Sequence, residues 1–202
     1  MPRPLRGRQL PLPPMTPKAV LLDAGGVFLL PSPDRVVGAY ERAGCRVAPD
    51  LLADAHYRAA ACFTTDLDVE ADWAACWLEY LRAYVDACGI DDADREEAHR
   101  HLDSEFADAA LWYEPIGGSR EGLAALAATG VAVGIVSNAD GLMGQRLSEL
   151  DVCQVGPGMA VDVACVIDSG SVGIMKPDPR IFLAALDVMG IDPEDTWYVG
   201  DM

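Results

Sequence analysis

The apolar run Ala19-Val20-Leu21-Leu22 is too short for a helix and rich in β-formers, so it predicts an interior parallel strand. It closes on Asp23 and passes at once into Ala24-Gly25-Gly26-Val27, a glycine-loosened turn. The period then changes. From about Pro33 to Ala110, apolar and small residues recur at helical spacing in Val36-Val37-Ala39-Tyr40, in Leu51-Leu52-Ala55-Ala59 and in Trp73-Ala74-Trp77-Leu78-Leu81-Val85. Gly44, Pro49 and Gly89-Ile90-Asp91 mark turns between them. After Pro115, helix and strand patterns alternate. The spacing predicts a helix through Gly122 to Ala128, a strand from Val131 to Val136, a helix from about Leu142 to Leu150 and a strand near Ala164 to Ile167. A helix from Pro179 to Met189 and a strand from Thr196 to Val199 follow. Alternating β and α units force parallel strands with right-handed crossovers. The expected architecture is therefore α/β, a doubly wound parallel sheet interrupted after its first strand by an all-helical insert. The chain contains no internal repeat.

Composition narrows the possible partners. The chain has 202 residues, 51% of them hydrophobic, enough for one domain with an insert, and its net charge is -17. Arg3, Arg6 and Arg8 are the only charged residues among the first 17, so the rest of the chain is more acidic still. Such a surface repels polyanions and argues against nucleic acid and anionic membrane as partners. A small phosphorylated metabolite stays compatible, because a divalent cation and a lysine can reverse the field locally. The six cysteines, Cys45, Cys62, Cys76, Cys88, Cys153 and Cys165, form no CxxC pair and no metal-ligand spacing with His56, His99 or His101. Reduced, buried thiols in a cytoplasmic protein are expected. No apolar run reaches the length of a membrane span. Residues 1–17, rich in Pro and Arg, read as a disordered tail, with Met15 an alternative start.

Asp23 alone is compatible with a turn-capping role. Three further segments share its grammar, an apolar strand-like run or its following loop carrying polar groups suited to phosphate or metal. They are Val133-Gly134-Ile135-Val136 followed by Ser137-Asn138; Lys176-Pro177-Asp178-Pro179; and Trp197-Tyr198-Val199 followed by Gly200-Asp201. In this order they resemble the four motifs of the haloacid dehalogenase-like superfamily, mostly phosphatases and phosphotransferases, of the type (IA) with a helical cap inserted after the first motif. The likeness runs from Lys18 to Met202. It implies a core of 18–32 and 111–202 and a mobile cap of 33–110 over the active site. It also implies roles: Asp23 as nucleophile forming an aspartyl-phosphate, Ser137 and Asn138 as phosphate holders, and Lys176 as the fixed charge against nucleophile and phosphoryl group. Mg2+ would be held by Asp23, the Gly25 carbonyl and Asp201, in keeping with an ion usually bound by one or two carboxylates.

The chain departs from the family pattern at Gly25. Phosphatases of the family usually place there a second Asp, which protonates the leaving oxygen and then activates water. Losing general acid–base catalysis typically costs about 100- to 10,000-fold. Substrates with leaving groups that need little protonation, such as an acyl phosphate or an anomeric sugar phosphate, are then expected. The phosphonate-cleaving branch requires a cap lysine, but the only lysines are Lys18 and Lys176. Two alternatives stay open: a metal-independent 2-haloacid dehalogenase, and a degenerate or truncated binding protein, since the sequence stops at Met202 where the family continues through another strand and helix. A monomer or homodimer is expected. Phe28, Arg35, His56, Arg58, Trp73 and Trp77 are candidates for specificity that spacing alone does not place. Trp73, Trp77 and Leu81 read as a cap-core stripe, and His56 as a helix-face residue and not a catalyst.

Overall fold

The structure, a computed structural model, describes residues 16–64 and 73–201. The tail expected to be disordered, Met15 included, lies outside the described residues except for Thr16 and Pro17, as does the side chain of Trp73.

The chain opens with β1 (Ala19–Leu22), whose four residues are all buried, as an interior strand requires. A short β2 (Leu29–Pro31) leads into four helices: α1 (Pro33–Arg42), α2 (Leu52–Ala60), α3 (Trp73–Ala87) and α4 (Arg95–Phe106). Pro33 starts α1 because its fixed φ suits the first helical position and its missing N–H would have gone unpaired there anyway. The chain returns through β3 (Trp112–Pro115). It continues through α5 (Ser119–Ala127), β4 (Ala132–Ser137), α6 (Met143–Glu149), β5 (Cys153–Val155), β6 (Val161–Val163) and β7 (Cys165–Asp168). A four-residue α7 (Ser169–Val172), then α8 (Pro179–Met189) and β8 (Thr196–Val199) complete it. Asp178 caps α8 by accepting from the Arg180 N–H at 2.9 Å, and Gly190, at φ 64, ends it in a left-handed turn.

Four strands form a parallel sheet in the order β7-β4-β1-β8. Alternation along the strands sends side chains to opposite faces. Val20, Leu22, Val133 and Ile135 pack with Leu123 of α5 and Met143 and Leu147 of α6. Leu21, Val136 and Cys165 pack with Ile181, Ala185 and Leu186 of α8. Both faces are thus covered, the doubly wound arrangement that the α/β alternation predicts. Helices α1 to α4 bury a separate core around Tyr40, Tyr80, Tyr84, Leu102 and Phe106.

Two features depart from the alternation pattern. Strand β2 pairs antiparallel with β3, joining Leu29 to Pro115 and Pro31 to Trp112, so the exit and re-entry of the helical layer are clamped together. Leu29-Leu30-Pro31 is too short and too proline-bound to signal a strand. Strands β5 and β6 form a second small pair, also absent from the sequence reading. Helix α4 likewise lay unmarked, because REEAHRHLDSEF buries only Ala98, Leu102 and Phe106 on a narrow stripe.

None of the six cysteines is in a disulfide; five are buried and Cys62 is half-buried. Burial pushes the Cys153 thiol up to about 12 and that of Cys165 up to about 11. Among the described residues no helix is long and apolar enough to cross a membrane. Because the thiolate is the reactive form, iodoacetamide at pH 8 is expected to leave Cys153 and Cys165 unlabelled in the native protein and to modify both in urea, as read by peptide mass spectrometry. Ile135, fully buried in β4, should on replacement by Ala lower stability by about 2–5 kcal/mol, seen as a lower urea midpoint at unchanged slope.

Candidate active site

The parallel register brings the ends of β1, β4 and β8 to one edge of the sheet, where ligands of such sheets bind. Asp23 follows β1 and is buried. Its N–H donates to the Val199 carbonyl at 2.9 Å, extending the β1–β8 pairing by one residue, and its Oδ1 accepts from the Ala24 N–H at 2.7 Å. The other oxygen, Oδ2, lies 2.5 Å from Lys176 Nζ and accepts from the Tyr198 hydroxyl at 3.1 Å. Lys176 Nζ also donates to the Tyr198 oxygen at 3.1 Å, so three groups from β1, β8 and the loop before α8 close a triangle.

The loop carrying Lys176 is held by Asn138. The Lys176 N–H donates to Asn138 Oδ1 at 2.7 Å, and Asn138 Nδ2 donates to the Lys176 carbonyl at 3.0 Å. Of the predicted pair, Ser137 ends β4, is buried and lines the same cavity as Asp23, while the Asn138 amide is committed to positioning Lys176. Tyr198 was not foreseen. It leaves 38% of its surface exposed at the sheet edge, but its hydroxyl reaches inward. Burial of that end, then the charge of Asp23, push its phenol well above the ordinary range, so it stays a neutral donor.

Asp201 has hydrogen-bonding contacts of its own. Its Oδ2 is 2.8 Å from His56 Nε2 of α2, and His56 Nδ1 is 2.9 Å from the Tyr80 hydroxyl of α3. A carboxylate can only accept, so Nε2 carries the proton and, in the neutral ring, Nδ1 accepts from Tyr80. Burial raises the Tyr80 phenol and keeps it a donor. His56 is fully buried. Its position on the Leu52-Ala55-His56-Ala59 stripe was the signal that it points inward. Gly26 makes the approach of Asp201 possible: it has φ +65, and a Cβ there would stand 2.0 Å from Asp201 Oδ2. At Gly25 a Cβ would meet the Trp112 ring edge at 3.2 Å, so an indole covers the place where a side chain at 25 would project.

Among the described residues no three His, Cys, Asp or Glu side chains gather into a metal cluster. An oxygen-seeking ion needs fewer, and one observation fits it: Asp201 Oδ1 is buried with no hydrogen-bond partner. An orphaned carboxylate oxygen is costly unless a cation or proton satisfies it. Asp23, the Gly25 carbonyl and Asp201 are the groups that could hold such an ion.

A cavity of about 800 Å3 opens above this floor. Its floor includes Asp23, Gly25, Ser137, Asn138, Lys176 and Tyr198, and its roof Trp77, Phe106 and Trp112. Lys176 is the sole Lys, Arg or His among the described lining residues. A buried carboxylate paired with one ammonium at the floor of such a cavity can attack an electrophilic centre.

Residues 17–202 match the profile of the haloacid dehalogenase-like hydrolases. A phosphoserine phosphatase of Thermus thermophilus is 33% identical over 140 residues, covering 68% of this chain and 52% of its own length. The chain spans about half the length of the curated relatives it matches. Among solved structures, a protein of Lactobacillus delbrueckii subsp. bulgaricus, provisionally named a phosphoglycolate phosphatase, is 20% identical with a TM-score of 0.50, covering 91% of this chain and 78% of that one. The L-2-haloacid dehalogenase of Xanthobacter autotrophicus is 21% identical with a TM-score of 0.45, covering 91% and 69%.

Removing His56 takes the hydrogen-bond donor from buried Asp201 Oδ2 and an acceptor from the Tyr80 hydroxyl. His56→Ala is expected to cost about 1–3 kcal/mol for the buried carboxylate oxygen it leaves without its donor, and Tyr80→Phe less, both read by urea denaturation.

Proposed function

The chain belongs to the haloacid dehalogenase-like hydrolase family, and on that premise we propose that it is a magnesium-dependent hydrolase of small phosphorylated metabolites working through Asp23. The observation that carries the reading is the Asp23–Lys176 contact of 2.5 Å at the floor of the cavity. The Thermus relative, by name a phosphoserine phosphatase, supports phosphate esters as the substrate class. Cysteines outside any disulfide are in keeping with a reducing cytoplasm.

The Asp23 carboxylate attacks phosphorus, and the leaving oxygen departs with the bonding pair, giving an aspartyl-phosphate that water then hydrolyses. Lys176 holds Asp23 in the attacking orientation and offers its charge to the phosphoryl oxygens as they arrive. Ser137 lines the cavity beside them. Tyr198 orients Asp23 through its hydrogen bond; its raised pKa makes it a poor proton donor to the leaving group. Mg2+, held by Asp23, the Gly25 carbonyl and Asp201, would supply charge neutralisation for the transferring phosphoryl group. Gly25 offers no general acid, so good leaving groups are favoured.

Phosphate release from acetyl phosphate, glucose 1-phosphate and p-nitrophenyl phosphate, with Mg2+ or EDTA, tests the reading. Release is expected to require Mg2+ and to fall more than about 1,000-fold in Asp23→Asn, with acetyl and p-nitrophenyl phosphate ahead of simple alkyl phosphates. Undiminished turnover by Asp23→Asn would sink the aspartyl-phosphate route. Chloride release from 2-chloropropionate in EDTA would replace it with dehalogenation.

A further inference from the structure

The groups lining the cavity away from its floor do not suit a small hydrophilic leaving group. Trp77, Phe106 and Trp112 form one aromatic wall, with Trp77 edge-on to Phe106 at 6.0 Å and Phe106 to Trp112 at 6.1 Å. Met143, Met175 and Phe182 also line it. Thioethers and ring edges adapt to flat apolar bodies. About 800 Å3 is far more than a phosphoryl group fills and lies within the range of pockets that enclose drug-sized molecules.

Charge narrows the class further. Lys176, the one cation among the described lining residues, already faces Asp23. Asp108 and Asp140 also line the cavity, and their cations, Arg35 at 2.9 Å and Arg146 at 3.0 Å, are not among its lining residues. A substrate bearing a carboxylate besides its phosphate would find no second cation among the described lining residues, and buried unpaired charge is strongly disfavoured.

Position 25 joins the two observations. Where an acid could stand there is Gly25, and the Trp112 ring lies against it. A leaving group must depart without a proton from that position while stacking near an indole. We propose that the site takes phosphate monoesters of uncharged, multi-ring aromatic alcohols, a conclusion resting on the phosphohydrolase reading above. A phenolic oxygen has an ordinary pKa of about 10, so it leaves as phenolate far more readily than an alkoxide. An Asp23 oxygen forms the bond to phosphorus as the phosphorus–oxygen bond to the ring breaks, and the bonding pair stays on the phenolate. Water then attacks the aspartyl-phosphate at phosphorus, restoring the carboxylate and releasing orthophosphate. The proton lost by that water ends on the phenolate through solvent, giving one aryl alcohol and one phosphate per water consumed.

The test measures kcat/KM of the full chain with Mg2+ for 1-naphthyl, phenyl, 4-carboxyphenyl and acetyl phosphate and for phosphoserine. The expected order puts 1-naphthyl phosphate about 10-fold or more above phenyl phosphate, and above 4-carboxyphenyl phosphate and phosphoserine by at least as much. In Trp112→Ala the ratio of 1-naphthyl to acetyl phosphate should fall about 10-fold, and Trp112→Phe should recover most of it. Asp23→Asn, unable to turn over, should bind 1-naphthyl phosphate with saturable tryptophan quenching. Acetyl phosphate turnover with phosphoserine preferred over 1-naphthyl phosphate, or no saturable quenching, overturns the aromatic assignment and leaves the phosphohydrolase reading standing. No release from any phosphate overturns that reading and this inference with it.

Discussion

A buried carboxylate and a partly buried ammonium 2.5 Å apart organise this molecule. Taking Asp23 and Lys176 out of water is expensive, and their attraction offsets that cost only with good geometry and further hydrogen bonds. Each requirement is met by a different part of the fold. The register of β1 with β8 sets Asp23 beside Tyr198, and the Ala24 N–H takes the second oxygen. Asn138, at the end of β4, fixes the backbone of Lys176 from both its N–H and its carbonyl. Loss of either charged partner leaves the other uncompensated, an error that typically costs about 3–5 kcal/mol.

The helical layer is keyed to the sheet at two glycines. Gly26 lets Asp201 press against the turn after β1, where His56 of α2 holds one of its oxygens, and Tyr57 donates to the Gly26 carbonyl at 3.0 Å. Gly25 lets the Trp112 ring close over the same turn. The antiparallel β2–β3 pairing frames this second contact: it sets Trp112, at the start of β3, opposite Pro31 and Pro115, at its end, opposite Leu29, next to the turn after Asp23. The aromatic roof and Asp23 thereby meet at the seam between two separate cores.

Chemistry and packing converge at position 25. A side chain large enough to donate a proton there would need the volume that the indole occupies. On the proposed mechanism, one feature, Gly25 beneath the Trp112 ring, would both remove a general acid and supply an apolar wall. Burial and Asp23 hold the Tyr198 proton tightly. The site is the Asp23 carboxylate paired with Lys176, with many of its polar groups at the floor and aromatic side chains above.

Local pattern determined a good deal. Period-two and period-3.6 spacing located β1, β4, β7 and β8 and helices α5, α6 and α8 to within a few residues, because strand burial and helix caps are written in adjacent positions. The same logic put Asp23, Ser137, Lys176 and Asp201 at or just beyond strand ends or in the loops that face them, since parallel strands separated by crossovers must end together. Tertiary structure decided the rest. His56 and Asp201 are 145 residues apart, and Trp112 meets Gly25 across the whole helical insert. No spacing rule reaches such pairs, because they depend on how one core docks on another. The commitment of the Asn138 amide to Lys176, and the inward reach of Tyr198 from an exposed edge strand, were invisible for the same reason: which partner a polar side chain takes is settled by what the fold brings within hydrogen-bonding distance.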